Sequence, residues 1–253
     1  MKKILVALLS IALLFSLAAC GAKGEGVARI KEKTKLVMCT NAEFEPFEFK
    51  ESNDVVGIDV EIAREIAADL GVELEILDMD FNSLINAITG GKADIAIAGM
   101  TVDETRLKNV DFSDTYFKAS QSIIVLKDSA IKASTDLEGK IVGVQLGTTG
   151  DDYVTANSKA SEVKRYNKGV DAVSDLIAGR IDAVVIDDYP ATAFVKNNAD
   201  TIIKLEEPLT KEEYAIALNK NDTDLTIAIN ETLKRISDSG RLDEIIQKYS
   251  PLE

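Results

Sequence analysis

The 253-residue sequence contains no histidine and no tryptophan, and it has only two cysteines and four prolines. Without histidine the chain lacks an imidazole base and the commonest zinc ligand, which disfavours many classes of enzyme. Cationic side chains are also few: 29 Lys and Arg stand against 43 Asp and Glu, giving a formal net charge of −14. Because phosphate backbones are bound chiefly by Lys and Arg, we expect no nucleic-acid partner. We also expect no metal and no cofactor.

The first twenty residues have the pattern of an export signal. Lys2 and Lys3 precede an apolar run over residues 4–17, which is short for a membrane span and typical of a signal peptide. The run ends in Leu-Ala-Ala-Cys-Gly, which resembles the cleavage box of bacterial lipoproteins. This resemblance implies a signal peptide over 1–19, a diacylglycerol on Cys20, and a lipid-anchored protein at the extracytoplasmic face of the cell membrane. A plain secretory signal with an incidental cysteine is the alternative.

One α/β unit occurs twice in the chain. Residues 84–99 and 176–187 each have the end of a helix, a glycine, a basic residue and an aspartate that leads a short apolar strand. Aligned on their glycines, the two strands end at Gly99 and Asp187. Ligands of open α/β sheets bind beyond the carboxyl ends of the strands. We therefore predict two similar lobes, with Gly99 and Asp187 facing each other across a cleft.

Hydrophobic periodicity predicts the order of the elements. Strands are expected over 36–40, 72–77, 93–98, 141–145 and 181–186, and helices over 60–70, 81–89 and 170–178, with another beginning near Thr149. Asp59 is the expected N-cap of the first of these helices. This order indicates an α/β fold in which each lobe is a mostly parallel sheet flanked by helices. The predicted division is a tether over 20–33, a first lobe over 34–119 plus 219–253, and a second lobe over 120–218, joined by two hinge crossings.

Five motifs then occur in order: NAEFEPFEF (41–49), GIDV (57–60), GMTVDETR (99–106), DFSD (111–114) and GTTG (147–150). As a set they resemble the extracellular solute-binding proteins that deliver polar amino acids to ABC importers. The resemblance spans the mature chain and implies the two-lobed periplasmic-binding-protein (Venus flytrap) fold. It further implies a monomer that is not an enzyme, with a polar L-amino acid as ligand and an ABC permease with its ATPase as partner.

Arg106 and Asp187 are the expected partners of the ligand's two α-groups. Thr101 and Glu104 have the spacing of a capping box, so Arg106 should lie in the first turns of a helix. Its planar guanidinium can bind a carboxylate with two parallel hydrogen bonds. The resemblance assigns the α-carboxylate to Arg106. It assigns the α-ammonium to Asp187, helped by the Gly99 carbonyl and the Thr101 hydroxyl.

The other expected contacts surround the carboxylate and the ligand's side chain. Thr148 and Thr149 follow a glycine at a strand-to-helix turn, where backbone N–H groups favour an anion, although such a turn is also ordinary N-cap chemistry. By resemblance, aromatic rings sandwich the side chain, and polar groups touch its tip. The predicted ligand-binding residues are Asn41, Glu43, Phe44, Phe81, Ala98, Gly99, Thr101, Arg106, Gln145, Thr148, Thr149 and Asp187.

The residues leave the identity of the amino acid open. Asn41 stands where many members of the resembling family carry aspartate, and together with Gln145 it favours a glutamine-like ligand. Glu43 favours a basic ligand such as arginine or lysine. Two other functions also stay open: a cyclohexadienyl dehydratase-like enzyme on the same fold, using cleft carboxylates as acid and base, and a ligand-sensing lipoprotein. The pairing of Arg106 with Asp187 matches a zwitterion and favours binding.

Overall fold

The computed structural model describes residues 25–250, so the expected signal peptide, Cys20 and the start of the expected tether lie outside the described residues. Within them the α-helices are α1 (Gly26–Lys33), α2 (Ile58–Leu70), α3 (Leu84–Thr89), α4 (Thr149–Asn157), α5 (Gly169–Ile177), α6 (Asp188–Asn197), α7 (Thr223–Asp238) and α8 (Arg241–Tyr249). The strands are β1 (Lys35–Thr40), β2 (Glu43–Phe44), β3 (Glu48–Glu51), β4 (Asp54–Val56), β5 (Glu73–Asp78), β6 (Ile95–Ala96), β7 (Asp111–Phe112), β8 (Phe117–Ala119), β9 (Gln121–Leu126), β10 (Ile141–Gln145), β11 (Glu162–Tyr166), β12 (Ala183–Asp187), β13 (Ile202–Lys204), β14 (Glu212–Tyr214) and β15 (Ala217–Leu218). Among residues 25–250, no helix combines the length and the apolar character needed to cross a bilayer.

Two five-stranded sheets with the same plan form the two lobes. The first has the order β5-β1-β6-β15-β7, and the second has the order β11-β10-β12-β9-β13. In each sheet three neighbouring strands pair in parallel, and the fourth pairs antiparallel with both of its neighbours. The predicted two-lobed α/β fold is therefore confirmed, and the duplicated sequence unit corresponds to a duplicated sheet.

Buried aliphatic side chains fill the space between each sheet and its helices. In the first lobe, Ile62 and Ile66 lie four residues apart on α2 and pack in the same cluster as Ile229 and Ile236 of α7. Ile229 and Ile236 lie seven residues apart, and spacings of four and of seven residues each put a pair on one face of its helix. Ion pairs join α2 to both C-terminal helices: Glu65 pairs with Arg235 of α7 and with Arg241 of α8. The C-terminal helices thus pack against the first lobe.

The N-terminal segment is more ordered than its composition indicates. Residues 26–33 form α1, whose first two N–H groups, from Gly26 and Val27, donate to the Asp224 carboxylate on α7, each at 3.0 Å. Arg29 adds a two-point contact with Asp222 at 3.2 and 2.6 Å. The expectation of a tether is wrong for these residues. Their glycines and lysines suggested flexible chain, because the acidic partners lie at the other end of the sequence.

Two strands carry the chain between the lobes. β8 and β14 pair antiparallel with each other and form a two-stranded sheet apart from both five-stranded sheets. β15, which directly follows this pair, already belongs to the first sheet. The predicted lobe boundary between residues 218 and 219 is therefore too late. The run over 214–218 is uniformly apolar, so its sequence contains no turn signal to mark where the chain changes sheets.

Candidate functional site

The two strand ends predicted to face each other both lie against Tyr214 of the hinge. Asp187 is the last residue of β12, and its Oδ1 accepts a hydrogen bond from the Tyr214 hydroxyl. Gly99 follows β6, and a Cβ built on it would lie 3.3 Å from the Tyr214 ring. The carboxyl ends of the two sheets, together with the hinge, therefore form one cleft.

The lobes are closed on each other in this structure. Within residues 25–250, four polar side-chain contacts cross the cleft from the first lobe to the second. They join Arg106 to the Gly147 carbonyl (3.1 Å), Asn41 to Gln145 (2.9 Å), Asp80 to Asn167 (3.2 Å), and Glu43 to Lys168 as an ion pair. Lys168 was missed in the sequence because a lone lysine before a helix belongs to no recognisable motif. These contacts place four of the predicted ligand-binding residues at the surface where the lobes meet: Arg106, Asn41, Glu43 and Gln145.

Arg106 begins a short 3-10 helix (Arg106–Lys108). The start of this helix is stabilised by the Asp103 side chain rather than by a capping box. Oδ1 of Asp103 accepts from the backbone N–H groups of Thr105 and Arg106 at 2.7 and 2.9 Å. Thr101 instead makes an isolated β-bridge to Tyr214. The predicted capping box is wrong because the Thr101 backbone and hydroxyl are taken up by the hinge strand.

The guanidinium of Arg106 is buried, and some of its N–H groups already have hydrogen-bond partners. Its Nη1 donates to the Thr101 carbonyl at 2.7 Å, and its Nε lies 3.0 Å from Oδ2 of Asp103. Burial lowers the pKa of Arg106, while the negative charges of Asp103 and Asp187 oppose that shift. The Phe81 ring lies 5.4 Å from the Arg106 Cζ, within cation–π range. A guanidinium has five N–H groups, so each Nη keeps a second N–H that can be given to a carboxylate.

The backbone at Gly99 is held from behind by Asp59. The Gly99 N–H donates to Oδ2 of Asp59 at 2.7 Å, and the Tyr116 hydroxyl donates to Oδ1 at 2.8 Å. Asp59 is therefore not the N-cap of α2, which begins at Ile58 after Gly57. Burial raises the pKa of Asp59 to about 6. This carboxylate fixes the turn that directs the chain from β6 into the cleft, where Ala98 is also buried.

Replacing Gly99 with alanine tests the contact between this turn and Phe44. Gly99 has φ +52°, and an added Cβ would lie 2.8 Å from Phe44 Cε1, which is closer than real Cβ contacts. We expect Gly99→Ala to lower the melting temperature and to weaken ligand binding by displacing the Phe44 ring. Gly91→Ala is the matched control, because Gly91 also has positive φ (+69°) but open space at its Cβ position. Equal effects of the two substitutions on binding would contradict a role for the Phe44 contact.

Asp187 carries an electrostatically unfavourable charge. Burial, and after it the negative charge of Glu212, raise the pKa of Asp187 to about 7, although the Tyr214 hydroxyl partly stabilises the ionised form. A carboxylate in this position is stabilised by any cation brought beside it. The Asp187 side chain can therefore receive an ammonium group.

The two threonines at the start of α4 have different tasks. Thr148 is the N-cap: its hydroxyl accepts from the Asp151 N–H at 3.3 Å and donates to the Gln145 carbonyl at 2.8 Å. The Thr149 hydroxyl donates to Oε2 of Glu212 at 2.8 Å. The first N–H groups of an α-helix have no acceptor within the helix. The N-terminal end of α4 can thus donate backbone N–H groups to a carboxylate, while the hydroxyl protons of both threonines are donated to other acceptors.

The comparisons with known proteins agree with this geometry. The sequence pattern that defines the bacterial extracellular solute-binding proteins, family 3, matches residues 36–251. The chain is 39% identical to the arginine-binding extracellular protein ArtP of Bacillus subtilis, covering 98% of each chain, and 33% identical to the glutamine-binding protein GlnH of the same organism, covering 98% of this chain and 97% of the other. Among solved structures, the arginine-bound form of truncated ArgBP from T. maritima superposes with a TM-score of 0.79 at 45% identity, covering 83% of this chain and 99% of that one.

Proposed function

The chain belongs to family 3 of the bacterial extracellular solute-binding proteins, and from this membership we propose that its cleft binds L-arginine for import. In this proposal Arg106 and the first N–H groups of α4 hold the α-carboxylate. Asp187 holds the α-ammonium, with the Gly99 carbonyl and the Thr101 hydroxyl. The support is the position of all these groups at one cleft between the lobes.

The choice of arginine rests on Glu43. One carboxylate oxygen of this residue pairs with Lys168, but the other, Oε2, is buried and has no hydrogen-bond partner among the described residues. A buried acceptor without a donor is costly, and a guanidinium supplies five donors together with a positive charge. Asn41 and Gln145 already hydrogen-bond each other, so Glu43 retains more hydrogen-bonding capacity for the end of the ligand's side chain than they do. The identity of 39% to ArtP, against 33% to GlnH, supports the same choice.

The remaining parts of the proposal concern location and delivery. A diacylglycerol on Cys20 would anchor the monomer at the extracytoplasmic face of the membrane, since two acyl chains suffice for stable attachment. An ABC permease would recognise the closed form, and its ATPase would supply the energy. The protein itself would catalyse no reaction, and ligand would shift the balance between open and closed forms by binding the closed form more tightly.

A ligand panel tests the arginine assignment. Residues 20–253 with Cys20→Ser would be unfolded and refolded to remove any bound ligand, and then melted with each L-amino acid in turn. We expect the largest rise in melting temperature with arginine, because a ligand at a hundred times its Kd adds about 2.7 kcal/mol of stability. No response to arginine in folded, ligand-free protein would refute the assignment. Formation of an aromatic product from prephenate would instead support the dehydratase alternative.

A further inference from the structure

Glu212 holds the two lobes together from the hinge. It lies in β14, one of the two strands that cross between the lobes, and no sequence motif marked it. Its Oε2 accepts from the Thr101 hydroxyl of the first lobe at 2.6 Å and from the Thr149 hydroxyl of the second lobe at 2.8 Å. Its Oε1 accepts from the Thr210 hydroxyl at 2.7 Å. One carboxylate thus accepts hydrogen bonds from three hydroxyl groups, two of which belong to residues on opposite walls of the cleft.

This arrangement decides what the two cleft threonines can offer a ligand. A hydroxyl has a single proton to donate and two lone pairs that accept. Because the Thr101 proton is given to Glu212, the Thr101 oxygen faces other groups as an acceptor only. The same holds for Thr149. An ammonium group finds an acceptor at Thr101, whereas a carboxylate must rely on Arg106 and on backbone N–H groups rather than on either hydroxyl.

The charge of Glu212 acts in the same direction. Its negative charge is felt at both Asp187 and Arg106. Beside Asp187 it makes that part of the cleft more negative, which favours an incoming ammonium group. Glu212 has no cationic hydrogen-bond partner among residues 25–250, since its described donors are three hydroxyls and the Gln121 amide at 3.5 Å. Its field is therefore not cancelled by a direct ion pair.

We propose that Glu212 is a positioning residue for ligand binding, which ties Thr101 to Thr149 across the hinge and turns the Thr101 hydroxyl into an acceptor for the α-ammonium group. The inference rests on the proposed binding of arginine in this cleft. It identifies the residue by which the hinge takes part in recognition of the ligand's α-amino end.

The test compares two ligands that differ at that end. Calorimetric Kd values would be measured for L-arginine and for 5-guanidinopentanoate, which lacks the α-ammonium group, with the native protein, Glu212→Gln and Glu212→Ala. We expect Glu212→Gln to weaken arginine binding about tenfold, as for loss of one charge-assisted interaction, and to change 5-guanidinopentanoate binding far less. The alanine variant, which also loses the acceptor, should weaken arginine binding further. The neighbouring Glu213 is exposed, so Glu213→Gln should match the native protein with both ligands.

The outcomes separate this inference from the proposed function. A native protein that binds no arginine refutes the proposed function itself. A native protein that binds arginine, with unchanged arginine affinity in both Glu212 variants, overturns the inference alone. Equal weakening of both ligands in Glu212→Gln also overturns it, because a purely structural role would not distinguish them. If the alanine variant fails to fold, the glutamine variant, which keeps the shape and one acceptor oxygen, still decides.

Discussion

Arg106→Ala is expected to weaken arginine binding at least about 30-fold, since truncating one partner of a buried, hydrogen-bonded charge pair costs 2–5 kcal/mol or more. The guanidinium is nearly excluded from solvent, with 7% of the residue exposed, so its contact with a carboxylate would be made away from bulk water. The same side chain also bonds the Thr101 and Gly147 carbonyls, which lie in different lobes. The alanine variant should therefore close less readily as well as bind less tightly.

Two further variants show whether the effect is specific to the guanidinium. Arg106→Lys retains the positive charge but loses the planar fork. It should fall between the native protein and Arg106→Ala in arginine affinity. Lys108 lies in the same 3-10 helix and is exposed, so Lys108→Ala should bind arginine like the native protein. Calorimetric Kd values for the four proteins provide the measurement. An alanine variant within threefold of the native Kd would remove Arg106 from the carboxylate site.

Asp187→Asn is expected to abolish arginine binding and yet to stabilise the ligand-free protein at pH 8. The native Asp187 has a pKa of about 7, above its ordinary value of 3.8, chiefly because it is buried. A raised pKa means that its favourable contribution to stability is full below about pH 4 and is lost as the pH rises through 7. Asparagine can still accept from the Tyr214 hydroxyl but never ionises. The variant should therefore gain stability over the native protein as the pH rises.

Urea unfolding at pH 5 and pH 8, with and without arginine, measures both effects. Each unit of pKa displacement corresponds to about 1.4 kcal/mol, and the native carboxyl loses its proton over about two pH units in this range. We therefore expect the stability advantage of Asp187→Asn to grow by roughly 3 kcal/mol between the two pH values. Asp200→Asn makes the same chemical change at an exposed position of the second lobe and should show neither effect. Native affinity for arginine should itself decline below pH 7, as Asp187 becomes protonated. A variant less stable than the native protein at both pH values would contradict the burial argument.

Much of the architecture follows from local sequence patterns. The duplicated helix–glycine–aspartate–strand unit predicted two matching lobes, and the structure has two sheets with one plan. β10 has its predicted bounds, and the helical spacing of apolar residues predicted α2 and α5 to within two residues of their observed bounds. These features are readable because a repeating apolar pattern reports which face of a single element is buried. Strand ends follow from the same patterns, which is why Gly99 and Asp187 could be assigned to the cleft.

What the sequence by itself determined is therefore the fold class, the family likeness and the strand ends that line the cleft. The tertiary structure alone decided which distant groups meet: Arg29 with Asp222, which lie 193 residues apart, Glu43 with Lys168, and Glu212 with a threonine of each lobe. It also decided the roles of Asp59 and Thr101, whose side chains bond remote partners instead of capping nearby helices. The physical reason is that capping and periodicity act within a few residues of the chain, whereas a buried polar side chain bonds whatever the folded lobes bring within about 3 Å of it.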